Sequence, residues 1–398
     1  MLSLTRRNPE FRRLFLAHTV SRSGDAFNTV ALVVLVFELT GSGRGVAAVA
    51  MFEVLPVLLI GPIAGFAADK VSRRHLMVGA DLVRAGAAAA LLLAAASLPA
   101  VFAVALVLSA AAVVFNPAAS SLVADVVDSN DLITANSALW SAAVVAQVIF
   151  APLAGVVIAA SDVRTAFAIN SATFVVSAAL LIGLRSGRAP ATIEALGWSG
   201  ALGGVRGVRR HPLLRRLLIV QVLAALSAGA TSGLLVVLAQ QRLGVGPGGF
   251  GLLLAAIGVG AAMGPVLLRR FIKVGDRRWL FGPYLLRGGV DVALATVTSP
   301  AIAGSALVVY GVSTSTGMVA YQSTVQGAVP AEIRGRSLAL FDVAWNGARL
   351  VSLAAGGIIA DAVDVRWVYF GAAGLLFAAA LVGFAAPLDT HQRQFSSR

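Results

Sequence analysis

Cysteine is absent from the chain, which excludes disulfides, thiolate metal sites, thiol catalysis and palmitoylation. Charge is scarce: 12% of the 398 residues are Asp, Glu, Lys or Arg, with 18 acidic against 31 basic. The four His are scattered and show no metal-ligand spacing. No G-x-x-x-x-G-K-S/T loop offers a cradle for the phosphates of a nucleotide. Enzyme chemistry, ATP-driven pumping, a bound metal and a cofactor are therefore not expected. What fills the chain is apolar: 58% of residues are hydrophobic and the mean hydropathy is +0.88. That leaves too few polar residues to clothe a soluble surface, so the lipid bilayer is the expected solvent.

An apolar run of about 20 residues crosses the hydrocarbon core as a helix, because its rise then covers roughly 30 Å with every backbone group satisfied internally. Such runs recur at about 14–40, 46–68, 75–97, 99–124, 133–161, 163–184, 213–241, 249–272, 279–298, 301–326, 336–362 and 366–386. They predict an all-α integral membrane protein of about twelve transmembrane helices. The basic start of the chain resembles a signal peptide, but Arg22 and Asp25 interrupt the run after it, so it reads as a retained first span. With 41 Gly and abundant Ala, the helices can approach one another closely.

The net charge of +13 raises nucleic acid as a partner, and the placement of the charges excludes it. Odd-to-even connections hold few basic residues, namely Arg44, Arg164, Arg242 and Arg366. The N-terminus and most even-to-odd connections are rich in them, as at Arg12, Arg13, Arg73, Arg74, Arg215, Arg216, Arg277 and Arg278. This bias predicts an inner cell membrane protein with both termini cytoplasmic. One connection, with Asp125, Asp128 and Asp131, is acidic and departs from the pattern.

The one long polar connection, 185–212, falls near the midpoint and reads as a cytoplasmic linker between two six-helix halves, 1–184 and 213–398. An internal repeat supports the division. Gly61-Pro62 recurs as Gly264-Pro265, Lys70 as Lys273, Arg74 as Arg277 and Arg84 as Arg287, each displaced by 203 positions, and Gly155 recurs as Gly357 at 202. Halves related in this way suit a transporter that rocks one bundle against the other around a central site, for which a monomer suffices.

The segment Gly61-Pro62-Ile63-Ala64-Gly65-Phe66-Ala67-Ala68-Asp69-Lys70-Val71-Ser72-Arg73-Arg74 resembles the major facilitator superfamily signature between the second and third helices. Three further stretches resemble its enterobactin-exporter-like branch: Ser21-Arg22-Ser23-Gly24-Asp25, Phe115-Asn116-Pro117-Ala118 and Arg209-Arg210-His211-Pro212-Leu213-Leu214. The resemblance implies twelve helices, alternating access, and a latch of Gly65, Asp69, Lys70, Arg73 and Arg74 in which Asp69 meets the start of the eleventh helix near Gly335-Arg336. Pro152 and Gly155 lie in a degraded form of the superfamily's antiporter motif, with Ala151 replacing its first Gly. Together these imply efflux of a drug or siderophore in exchange for protons. Uptake and a non-transporting sensor or scaffold are the alternatives.

A charge at bilayer depth costs at least about 2.5 kcal/mol, so ionisable residues inside spans are the candidate sites. In the first span His18, Ser21, Arg22, Asp25, Asn28 and Thr29 recur at spacings of 3 and 4 and form one polar face. Asp25 lies roughly 16 Å into the span, near the midplane, and is the first candidate for proton coupling. A fixed ion pair with Arg22 is the competing reading. Glu53 in the second span is expected to pair with Arg22 or to bind a cationic substrate. In the eleventh, Asp342, Trp345, Asn346 and Arg349 share a face. Asp81 and Arg84 read as a local structural pair. Asn28, Asn116, Gln147, Gln221, Tyr310, Trp345 and Asn346 are candidate contacts for an amphipathic small-molecule substrate.

Overall fold

The computed structural model describes residues 2–70, 72–128, 131–184, 208, 212–268, 276–328 and 334–385. Most of the predicted linker, 185–212, lies outside them. A short helix, Leu2–Arg7, precedes the long helices α1 (Pro9–Thr40), α2 (Gly43–Lys70), α3 (Arg73–Ala94), α4 (Leu98–Val126), α5 (Leu132–Ala160) and α6 (Val163–Ile182). There follow α7 (Pro212–Gly233), continued by Leu235–Gln241, then α8 (Pro247–Leu268), α9 (Arg277–Thr296), α10 (Pro300–Ala328), α11 (Arg334–Ala362) and α12 (Val365–Phe384). Among the described residues eleven helices are long and apolar enough to cross a membrane. Helix α9 falls outside that set, because Arg287 and Asp291 interrupt its apolar run.

Helix ends follow local chemistry. α1 begins earlier than hydropathy predicts: Asn8 Oδ1 accepts the Phe11 N–H at 2.9 Å and Pro9 opens the first turn. It ends at Gly41, which adopts the left-handed conformation (φ 59°) and donates its N–H to Phe37 O. Asp162 caps α6 through the Thr165 N–H, and Asp364, displaced by 202 positions, caps α12 through the Arg366 N–H, each at 2.9 Å. Arg74 Nη1 donates to Leu184 O at 2.9 Å, just past the end of α6. Arg277 donates to Phe384 O at the end of α12. The repeat read in the sequence therefore marks the same jobs at equivalent helix ends.

Packing repeats as well. α1 lies on α5 and α6 as α7 lies on α11 and α12, and α3 lies on α4 and α6 as α9 lies on α10 and α12. Between the two sets of helices the main contacts are α2 on α11 and α5 on α8. One apolar core draws on both sets, including Leu32, Val49, Ile158, Leu238, Phe250 and Tyr369. Two further cores stay separate: Phe11, Leu14, Met77, Phe115 and Leu181 on one side, Leu217, Phe281 and Leu376 on the other. The two sets of helices are thus welded at the end carrying the α1–α2, α5–α6 and α11–α12 turns, and each packs on itself at the other. Large apolar side chains such as Leu59, Leu93, Ile182 and Leu381 are exposed on the outside, which suits a surface covered by lipid.

Candidate functional site

The polar face predicted on α1 points into the first half and carries a charge cluster. Asp25 accepts from Arg84 Nη2 at 2.6 Å and from Arg22 Nη1 at 3.3 Å. Arg84 is almost fully buried, and it also reaches Asp81 and the Ser21 hydroxyl, each at 3.3 Å. Its guanidinium lies over the Phe174 ring at 4.1 Å and near that of Phe115 at 5.6 Å. The local Asp81–Arg84 pair expected from spacing is present, but Arg84 has a second and shorter bond across to α1. It is a member of the site, which spacing along one helix could not reveal. Arg22 extends the cluster to α4 by donating to Asn116 Oδ1 at 2.9 Å.

Burial separates the members. Asp81 is fully buried and Arg84 is 4% exposed, whereas Arg22 and Asp25 are 32% and 27% exposed. Two guanidiniums and two carboxylates balance in charge, and the half of the cluster on α1 is partly exposed. Asp25 bonds to both arginines and so ties α1 to α3.

Glu53 does not pair with Arg22. Arg349 on α11 is a charged neighbour of Glu53. The two lie beyond ion-pair distance, on opposite sides of the α2–α11 seam. Of the other candidates on α11, Asp342 is exposed, Asn346 donates back to Asp342 O at 3.0 Å, and Trp345 packs beside Tyr321 and Phe341.

The α5 motif acts through backbone approach. A Cβ at Gly155 would lie 2.9 Å from Gly248 Cα, and one at Gly251 would lie 2.9 Å from Pro152 Cα. Only residues without a side chain let α5 and α8 meet so closely. At the same end of the molecule Asp361 closes the α2–α11 seam. It accepts from the Ser42 hydroxyl at 2.6 Å, the Gly43 N–H at 2.5 Å, the Arg44 N–H at 3.0 Å and Arg44 Nε at 2.9 Å. Sequence reasoning missed Asp361 because it sits at a helix end, where a carboxylate has no cost to signal its use.

Across residues 5–398 the sequence matches the family described as transmembrane secretion effector. This chain belongs to that family, within the major facilitator superfamily of transporters. The chain is 25% identical over 402 residues to an uncharacterized MFS-type transporter, YfiS, of Bacillus subtilis (strain 168), covering 96% of this chain and 94% of that one. Its fold is similar to that of the nucleoside transporter NupG, with a TM-score of 0.76, 14% identity and coverage of 94% and 98% of the two chains. It is also similar to a bacterial homologue of the iron transporter ferroportin in an inward-facing state, with a TM-score of 0.75, 18% identity and coverage of 98% and 99%.

Several of the candidates lie away from the charge cluster. Tyr310 is buried and accepts from Arg287 Nη2 at 3.1 Å. Gln221 donates to Phe341 O at 3.1 Å, tying α7 to α11. Asn28 is buried and Gln147 half-buried on α1 and α5. Arg73 forms an ion pair with Asp125 at 2.5 Å, which gives the acidic connection a structural use. Arg74 holds the end of α6. The side chains of Gly65, Asp69, Lys70 and Arg336 lie outside the described residues.

Proposed function

We propose that the chain is a secondary active transporter that exports an amphipathic small molecule, a drug or a siderophore, in exchange for protons by alternating access. In this reading about twelve spans form two six-helix halves, 1–184 and 213–398, joined by a cytoplasmic linker. Both termini are cytoplasmic, the membrane is the inner cell membrane, and the unit is a monomer. The observation that carries the reading is Asp25: a partly exposed carboxylate at mid-span, shared by two arginines on different helices. A buried ionisable group with exchangeable partners is what coupling needs, since each protonation state favours a different set of contacts.

Three further observations support it. The halves meet at one end and are separate at the other, the shape of one stage of an alternating cycle. Arg22, Asn116 and Asp342 are polar side chains within spans that keep some exposure, the kind of group that gives a solute with polar and apolar faces its polar contacts. The family is described by secretion, which favours export over uptake. The basic residues of the latch then act in the conformation where the separate ends meet.

The test is transport into or out of liposomes under an imposed pH gradient, with a panel of lipophilic cations and catechol siderophores, comparing wild type with Asp25→Asn. Gradient-driven movement by the wild type that is lost in the variant is the expected result. Gradient-driven movement that persists in Asp25→Asn would remove Asp25 from the mechanism, and movement indifferent to the gradient would remove the proton.

A further inference from the structure

The second half holds a carboxylate that the mechanism above leaves unused. Asp291 on α9 is fully buried. One of its oxygens accepts weakly from the Ser227 hydroxyl of α7 at 3.5 Å, and the other accepts no hydrogen bond from any described protein group. Arg287, one turn earlier on the same helix, is within reach as a partner. It turns instead to α10, donating to the Tyr310 hydroxyl at 3.1 Å with its guanidinium 4.9 Å from the centre of that ring. The other titratable groups around the pair are Tyr284 on α9 and Tyr369 on α12, whose hydroxyl donates to Thr231 O at 3.0 Å. A cavity of about 20 Å³ adjoins Asp291, Thr231, Tyr310 and Tyr369 and reaches Ser232, which is exposed. Its volume admits a single water, the minimum needed to pass a proton.

The first half shows what this arrangement lacks. Arg84 and Arg287 are repeat equivalents at 203 positions, and each lies against aromatic rings, Arg84 over Phe174 and Phe115 and Arg287 over Tyr310. Arg84 is bonded to two carboxylates, whereas Arg287 is bonded to a phenol while an acid stands beside it. An ionised carboxylate with an unbonded oxygen is costly in a dry interior, and a neutral carboxylic acid is far less so. Arginine keeps its charge throughout. The geometry is that of a carboxyl group carrying its proton.

We propose that Asp291 is a proton-binding site of the second half, exchanging its proton for an ion pair with Arg287. When the proton leaves, the carboxylate draws Arg287 away from Tyr310, and the tie between α9 and α10 is released. The inference deepens the proton-coupled reading and rests on it for its role in transport, but the site itself can be read without transport.

The experiment is an infrared pH titration of the full-length protein in lipid nanodiscs, following the carbonyl stretch of protonated carboxyl groups. The wild type should show a band that disappears on alkalinisation. The band should be missing in Asp291→Asn and retained in Asp25→Asn. In Tyr310→Phe, where Arg287 loses its alternative partner, the band should be lost at lower pH. If Asp291→Asn does not fold, Asp291→Glu serves in its place, and a displaced band supports the assignment. A band unchanged in every Asp291 variant, or one that no accessible pH removes, overturns the proposal. Failure of the antiport reading looks different: liposomes indifferent to the gradient while the Asp291 band titrates normally.

Discussion

Asp361, in the last turn of α11, accepts the backbone N–H of Gly43, the first residue of α2, at 2.5 Å. A carboxylate at a helix N-terminus satisfies donors that have no partner in the helix and meets the positive end of its dipole. Because α2 and α11 belong to different sets of packed helices, this cap is a tie between the two sets at that end. The packing beneath agrees: a Cβ at Gly357 would stand 2.7 Å from Ala47 Cβ, and one at Gly43 2.9 Å from Ala360 Cβ.

Replacing Asp361 with Ala should therefore bias the molecule toward opening at this end. The hydrogen bonds to a charged group suggest a change of about 1.5 kcal/mol, roughly tenfold in the equilibrium. The chain has no native cysteine, so spin labels can be introduced at Ser161 and Val363 by paired cysteine substitution without background. Electron spin distance measurements should show a longer-distance population growing in Asp361→Ala. An unchanged distribution would assign the closure to apolar packing alone.

Arg84 should be the most sensitive polar position of the first half. Its removal in Arg84→Ala leaves Asp25 and Asp81 without their shared cation, and breaking a buried pair in this way costs about 3–5 kcal/mol. Thermal unfolding in detergent should show a large loss for Arg84→Ala. Asp81→Asn should lose much less, because Arg84 keeps Asp25. Equal losses would show that the pair on α3, and not its link to α1, sets the stability.

Gly155→Val should impair cycling while leaving the fold intact. The new side chain meets the Pro247–Gly248 backbone of α8, which cannot move aside as a side-chain tip can. Expression and thermal stability are expected to stay near wild type, with transport reduced and the labels at Ser161 and Val363 further apart. Normal transport would mean that α5 and α8 need not meet at this point in the cycle.

Asp162 supplies a pH dependence outside the spans. The Thr165 N–H and hydroxyl donate to its carboxylate and hold it below the usual range for an aspartate. A depressed value means that the folded state favours the charged form. Its contribution is present at neutral pH and is lost as the pH falls through the folded value. Asp162→Ala should lower the unfolding temperature slightly at neutral pH, and the gap to wild type should close in acid. A gap that is constant with pH would mean the charge is not involved.

Much of this was legible beforehand, and the reasons are physical. Lipid forces backbone groups to be satisfied within a segment, so hydropathy alone outlines α1–α8 and α10–α12. Helix α9 is faint in hydropathy because Arg287 and Asp291 lie in it, and Asp291 was not read as a site. The polar face of α1 was readable from spacing, since residues three and four apart share a side of a helix. Spacing cannot report a neighbour from another helix. Asp81 and Arg84 therefore looked self-sufficient, and neither the neighbourhood of Glu53 and Arg349 nor the bond from Arg287 to Tyr310 could be read.

The sequence by itself determined the membrane class, the family, the repeat and the list of costly charges, because each is a property of composition or of position along one chain. Only the tertiary structure decided which charge answers which. It joined Asp25 to Arg84, turned Arg287 from Asp291 to Tyr310, and brought Asp361 to the start of α2. Partners in a helical bundle are chosen by how helices pack across 59 or 318 positions of chain, a distance over which local periodicity carries no information.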